Sequence, residues 1–238
     1  MGDHSFAGAD DRVVGDRSAA RRSHRAVHAS VEDLRPAPGN PFDKKQAADG
    51  KTEHLLATAS RMFNRRGLDG VTLEEIGAEL GATKGALYPY ITDKADLIAK
   101  CYDRAFDIYE AVMAFGVRAG RTGLERAAHV IHLNVQAQTG PISPLSLQPA
   151  SPHLSTEKRA ELRHRARRLK LISGRNLSSG VRDGSCRLSD PTLMSELSAG
   201  LFLWMPKWAP DGIERSDLAA TVVDLAVHGL RQGRHEPA

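Results

Sequence analysis

Two cysteines in 238 residues, Cys101 and Cys186, cannot build a disulfide framework and do not form a CxxC pair. A reducing compartment, the cytoplasm, is therefore the simplest home. Aromatic residues are scarce, at 5% of the chain, which leaves aliphatic side chains to build the core. Apolar runs are short: residues 199–206 and 219–227 are broken or closed by Gly, Pro or a charge. A bilayer-spanning helix needs roughly 20 apolar residues, so no membrane span is expected. A Gly-rich phosphate loop, a GxSxG elbow and a spaced set of metal ligands are missing. Their absence argues against an enzyme and against a bound cofactor or metal. Arg21-Arg22 is not followed by an apolar stretch and does not read as an export signal. Strong charge of one sign is missing too: 33 Lys and Arg against 29 Asp and Glu leave a net +4, which by itself is no footprint of nucleic-acid binding.

What is present is helical patterning. Residues 1–50 carry eight basic and eight acidic residues and close on Pro36, Pro38, Gly39 and Pro41, the composition of a polar tail and linker. From Lys51 onward apolar residues recur at helical spacing and period-2 alternation is nearly absent, so the fold class is all-α. Leu55, Ala59, Met62 and Phe63 share one face of a first helix that ends at Gly67, a residue suited to the left-handed C-cap. Thr72 and Glu75 stand in capping-box spacing at the head of a second helix running to Leu80. Thr83 is positioned to cap a short third helix that Pro89 stops. A long fourth helix covers about 94–115. Beyond a break at 120–123, residues 124–138 are helical, and Pro141, Pro144, Pro149 and Pro152 mark a loop or broken helix. Ser155 or Thr156 opens a basic helix to about Val181 with a possible bend at Gly174. Asp190-Pro191 opens a helix that Pro206 disturbs, and Ser216-Asp217 opens the last one.

The second and third helices carry the functional signal. Two helices crossing steeply through a tight turn need a tiny residue at closest approach and a residue tolerant of positive φ in the turn. Gly77 and Gly81 meet those demands, while Ile76, Leu80, Ala82, Leu87 and Tyr90 lock the pair. This is helix-turn-helix patterning, although an αα-hairpin without a DNA role has the same local demands.

The wider pattern Leu56-x2-Ala59-x3-Phe63-x3-Gly67-x3-Val71-Thr72-Leu73-x2-Ile76-x-Ala78-x-Leu80-Gly81-Ala82-Thr83-x-Gly85-x-Leu87-Tyr88-x-Tyr90-Ile91-x2-Lys94-x2-Leu97 resembles the DNA-binding domain of TetR-family transcriptional regulators. The resemblance implies a DNA-binding head at 51–110, with its recognition unit at about 72–91. The fourth helix would join it to an all-helical, dimerising and ligand-binding body at 111–238. It further implies that Thr72 and Lys94, at helix starts, touch phosphates, and that Thr83, Lys84, Gly85 and Tyr88 lie on the recognition element. Tyr90 either reaches phosphate or packs in the core, and core packing is the plain alternative for Tyr88 as well. Pro89 departs from the family pattern, having no N–H or polar group to offer DNA. In a dimer, two recognition elements would enter successive major grooves of a palindrome about 34–36 Å apart.

The body is less legible. By resemblance its last two helices form a four-helix dimer interface, through Leu193, Leu197, Gly200, Leu201, Trp204, Leu218, Val222, Leu225 and Leu230. Phe106, Met113, Phe115, His129 and His132 are candidate ligand-pocket residues, and core packing is the plain alternative for them. His129 and His132 share a helix face, but no third metal ligand is evident nearby. The 199–208 region is similar to regulators with lipid-like effectors. Lys158, Arg159, Arg163, Arg165, Arg167, Arg168 and Lys170 form either a solvated helix face or a surface for an anionic partner, such as the phosphates of an acyl-CoA. The expectation is a dimeric repressor released from its operator by a small hydrophobic or lipid-like molecule. The alternatives are a regulator answering to a protein partner or to no ligand and, more remotely, an enzyme or a helical scaffold.

Overall fold

The computed structural model describes residues 44–146, 151–187, 190–208 and 215–228. Among these there are helices and no strands: α1 (Lys44–Arg66), α2 (Leu73–Glu79), a 3-10 turn η1 (Lys84–Leu87), α3 (Lys94–Ala119), α4 (Gly123–Thr139), α5 (Thr156–Arg182), α6 (Pro191–Trp208) and α7 (Arg215–His228). Residues 1–43 of the tail expected at 1–50, and Leu230, lie outside the described residues. None of the described helices is long and apolar enough to cross a membrane.

Local chemistry explains most of the helix starts. Glu75 N–H donates to the Thr72 hydroxyl (3.2 Å), and Thr72 N–H donates to Glu75 Oε2 (2.8 Å), so both halves of the capping box form. The same reciprocal arrangement of Thr122 and Glu125 opens α4. Ser155 accepts from Lys158 N–H at the start of α5, and Asp190 Oδ1 accepts from the amides of Thr192 and Leu193 ahead of α6. Each contact satisfies an amide that the helix itself cannot.

Four expectations are corrected. The first helix begins at Lys44 rather than Lys51, because Lys44-Lys45-Gln46-Ala47-Ala48 are good helix formers and Gly50 stands exposed where it meets nothing. The third helix is a single 3-10 turn, and the Thr83 side chain makes no capping bond. Pro89 lacks the N–H that another helical turn would use. The basic helix spans Gly174 as expected, whereas α6 continues past Pro206 to Trp208.

The core is continuous between head and body. Leu55, Ala59 and Phe63 of α1 pack with Val71, Leu73, Ile76, Leu87 and Ile91 of the helix-turn-helix and with Leu97, Ile98, Cys101 and Tyr102 of α3. Leu145, Leu154 and Leu162, from beyond α4, belong to the same cluster. Around α4 the body builds two smaller clusters, Val112, Met113, Val130, Leu133 and Ala137 toward α3, and Val135, Met205, Ala219 and Val222 toward α6 and α7. α5 lies along α3, where Lys158 pairs with Asp103 (2.6 Å) and Arg165 reaches Asp107 (2.6 Å) and Glu110 (3.0 Å). Part of the basic cluster is therefore structural. Replacing Thr72 by Ala removes an N-cap and should cost about 1 kcal/mol, read as a lower midpoint in urea unfolding with an unchanged slope.

Candidate nucleic-acid interface

Gly77 and Gly81 set the geometry of the interface. A Cβ on Gly77 would stand 3.0 Å from the Ala82 carbonyl oxygen and 3.1 Å from Thr83 C, so α2 meets the turn backbone to backbone. Gly81 turns the chain at φ 66°, a conformation that side chains disfavour. Leu87 and Ile91 then anchor the far end in the core, and Lys100 of α3 donates through Nζ to the Tyr90 carbonyl (2.7 Å). Lys100 is a positioning contact that sequence patterning did not single out, because its partner is a main-chain oxygen that no motif records.

This anchoring leaves Thr83, Gly85 and Tyr88 exposed, Tyr88 by half of its surface. Core packing is thereby removed as the reading of Tyr88. Tyr90 is partly buried against the head core, so its ring is a structural contact whatever its hydroxyl meets. Thr72 is exposed, with its hydroxyl engaged with Glu75. Lys94 is half-buried at the start of α3, where Asp93 caps the helix by accepting from Asp96 N–H.

Charges on this face are paired within the head. Lys84 Nζ lies 2.9 Å from Glu74 Oε1, Arg66 is 2.7 Å from Glu75, and Arg61 is 3.8 Å from Glu79. The Lys84 bond holds the Glu74 carboxyl below the usual carboxylate range, and Glu74 in turn raises the Lys84 ammonium. A head with more acids than bases thus ties its α2 acids to its own cations. Glu74 was another residue that patterning passed over.

Behind the interface, a segment of the body is bonded into the head. Asn64 of α1 donates through Nδ2 to the Pro144 carbonyl (2.9 Å), and its Oδ1 accepts from Ser146 N–H (2.8 Å). Buried Arg104 of α3 joins Glu53 of α1 (Nε to Oε2, 2.8 Å) to the Ile142 carbonyl (2.8 Å). Nε2 of His153 stands 3.0 Å from Asp69, in the turn between α1 and α2.

Phe106 of α3 is fully buried beneath the Arg165 guanidinium, 5.1 Å from the ring centroid, and in the body Met113 lies in the α3–α4 cluster. Phe106 is a core residue, held there by α5. Phe115 meets His129 edge to face at 6.3 Å. His129 is 5% exposed, with no hydrogen-bond partner at Nδ1, and burial lowers its pKa. His132 Nε2 lies 3.0 Å from Gln136, and no group of residues able to hold a metal occurs among the described residues. Asn134 Oδ1 and Gln138 Oε1 are also buried without a partner. Cys101 is buried, its thiol pushed up to about 12 by that burial, which is no setting for a nucleophile.

The residues expected at a dimer interface divide. Leu193, Leu197 and Trp204 are each more than half exposed on α6, and Leu225 on α7 is nearly half exposed. Gly200 faces open space, meeting nothing where a Cβ would be. Val222 is a correction, since it is buried against Val135, Met205 and Ala219, and Leu201 and Leu218 lean on the same cluster. Helical spacing alone did not separate the two faces.

Residues 55–101 match the family described as "Bacterial regulatory proteins, tetR family", and residues 120–230 match "Tetracyclin repressor-like, C-terminal domain". The chain belongs to the TetR family of transcriptional regulators, DNA-binding proteins and not enzymes. It is similar to the HTH-type transcriptional regulator AcrR of Shigella flexneri, 36% identical over 59 residues, covering 25% of this chain and 27% of that protein. It is also similar to the HTH-type transcriptional repressor BepR of Brucella suis, 31% identical over 94 residues, covering 40% of this chain and 43% of that protein. These matches span less than half the length of either relative. Over a larger share, the chain is similar to the crystal structure of AibR in complex with isovaleryl coenzyme A and operator DNA. There the identity is 25% and the TM-score 0.60, covering 74% of this chain and 98% of that one.

His129 has a consequence for stability. Its folded pKa is depressed, so below about 6.5 the unfolded chain takes up a proton that the folded one refuses. Stability therefore falls as pH drops from 6.5 through the folded value. His129→Gln should show a flatter decline between pH 6.5 and 5 than the wild type in urea unfolding; identical slopes would contradict the assignment.

Proposed function

We propose that the protein is a homodimeric repressor, held on a palindromic operator and released when a small hydrophobic or lipid-like molecule enters the body. Thr83, Lys84, Gly85 and Tyr88 meet the bases or the phosphates beside them, and Thr72 and Lys94 hold the phosphate backbone. Phosphate contacts fix orientation, and base edges in the major groove carry the sequence information.

The observation that carries the regulated part of this reading is the bonding of residues 140–146 and 151–154 into the head. Asn64 and Arg104 tie the segment to α1 and α3, and Leu145 and Leu154 complete the head's core. The segment joins α4 to α5, so a ligand that displaces either helix would shift the seat of the recognition turn. An effective ligand must favour the released arrangement by a few kcal/mol.

Two further observations support the partners. The exposed row Leu193, Leu197 and Trp204, with Gly200 between them, has the apolar character of a helix–helix seam. The body's interior is packed mainly with aliphatic side chains, and His129 Nδ1, Asn134 Oδ1 and Gln138 Oε1 are buried in it without a partner. That combination suits an apolar ligand with a few polar groups. Likeness to AibR makes acyl coenzyme A thioesters the first class to try, with the exposed arginines of α5 available to their phosphates. The protein would act where the DNA lies, in the cytoplasm.

The test is selection of bound fragments from genomic DNA at near-physiological salt, for the wild type, Lys84→Ala and Leu197→Glu, followed by titration with acyl coenzyme A thioesters. A palindrome lost in Lys84→Ala, a monomer in sedimentation for Leu197→Glu, and release by one thioester are the expected results. Sequence-blind retention unchanged by Lys84→Ala would overturn the base-reading role. A specific site that no small molecule releases would point to a protein partner or to constitutive binding.

A further inference from the structure

The acids of α2 differ in what they face. Glu75 completes the capping box and pairs with Arg66, and Glu79 stands near Arg61, so both serve contacts within the head. Glu74 points instead to the recognition turn, exposed, with Oε1 2.9 Å from Lys84 Nζ. The fold has little need of it, since an exposed ion pair contributes little to stability. A carboxylate at a surface that must meet phosphates also weakens binding unless it is used.

We propose that Glu74 and Lys84 act together as the reader of one G·C base pair, the ammonium over guanine and the carboxylate accepting from the cytosine amino group. The inference rests on the major-groove docking proposed above. Guanine presents O6 and N7 as acceptors, and cytosine presents its N4 amino group as donor. O6 and N4 are hydrogen-bonded to each other within the pair, so they stand about 2.9 Å apart. Lys84 Nζ and Glu74 Oε1 have that same separation with the opposite polarity. Laid over the base pair, the protein pair meets it donor to acceptor at both ends.

Discrimination follows from the neighbouring atoms. A T·A pair offers O4 and N6 in the same order, but the ammonium then loses N7 and meets the thymine methyl, while the carboxylate faces the N7 acceptor of adenine. Reversed pairs set donor against donor and acceptor against acceptor. Glu74 also gives Lys84 a partner beside the bases, which opposes its capture by a phosphate.

Selection from random DNA by the wild type, Lys84→Ala, Glu74→Ala and Glu74→Gln tests this. The wild type should enrich G·C at one position of each half-site. Lys84→Ala and Glu74→Ala should both lose the preference there by roughly tenfold and keep the preferences elsewhere, while Glu74→Ala holds non-specific DNA more tightly. Glu74→Gln should admit adenine at the cytosine position, since an amide both donates and accepts. Tighter binding of Glu74→Ala to every sequence with unchanged base preference would overturn the proposal and leave the carboxylate as an electrostatic brake. Loss of preference at a position other than that of Lys84 would overturn it equally. A wild type without any base preference would overturn the docking itself, an outcome read before any variant. Matching circular dichroism and thermal melting of the variants separate a change in reading from a change in fold.

Discussion

The bonds between Asn64 and the backbone at Pro144 and Ser146 are the constraint on which the rest of the structure depends. A carboxamide buried on a helix must find both a donor and an acceptor, or leaving it unpaired costs about 1–3 kcal/mol. Here it finds them 80 and 82 residues away, on a stretch that carries Leu145 into the head core. Leu154 follows, and each nearly buried leucine contributes about 1.5–3 kcal/mol. Arg104 repeats the arrangement from α3, bonding Glu53 on one side and Ile142 on the other. A helix-turn-helix of this size would have a thin core alone. With these residues the core of the head includes part of the body.

Charge poses the second problem. The head has ten acids and eight bases in residues 51–110, yet it belongs to a family that binds a polyanion. The structure handles this by committing the acids. Glu75 and Asp93 cap helices, Asp96 bonds Lys100 and Thr92 N–H, and Glu53 is held by Arg104. Acids used in this way stabilise the helix starts that present the interface. The placement of each carboxylate, and not the net charge alone, bears on how DNA is met.

Much of the head was readable from residue order because its determinants are local. Thr72 and Glu75 are three residues apart, Gly77 and Gly81 four, and each pair answers a steric or hydrogen-bonding demand that sequence spacing displays. Ser155 and Asp190 mark helix starts for the same reason. What spacing could not display depends on distant partners. Pro141 and Pro144 correctly signalled a loop, but nothing in them showed that Leu145 would enter the head core. Val222 and Leu225 lie on one helix at helical spacing, and only the positions of Val135 and Met205 decide that the first turns inward. The 3-10 form of the recognition turn was half legible: Pro89 announced a short element, while its tighter winding depends on how Leu87 and Ile91 are drawn into the core.

The central claim is that head and body form one cooperative unit through residues 140–146 and 151–154. Native-state hydrogen exchange on the wild type and Asn64→Ala tests it most directly. The account predicts that the substitution lowers protection by the same amount in amides of α1, of α2 and of α4. Loss of protection confined to residues 140–146, with the head unchanged, would contradict it.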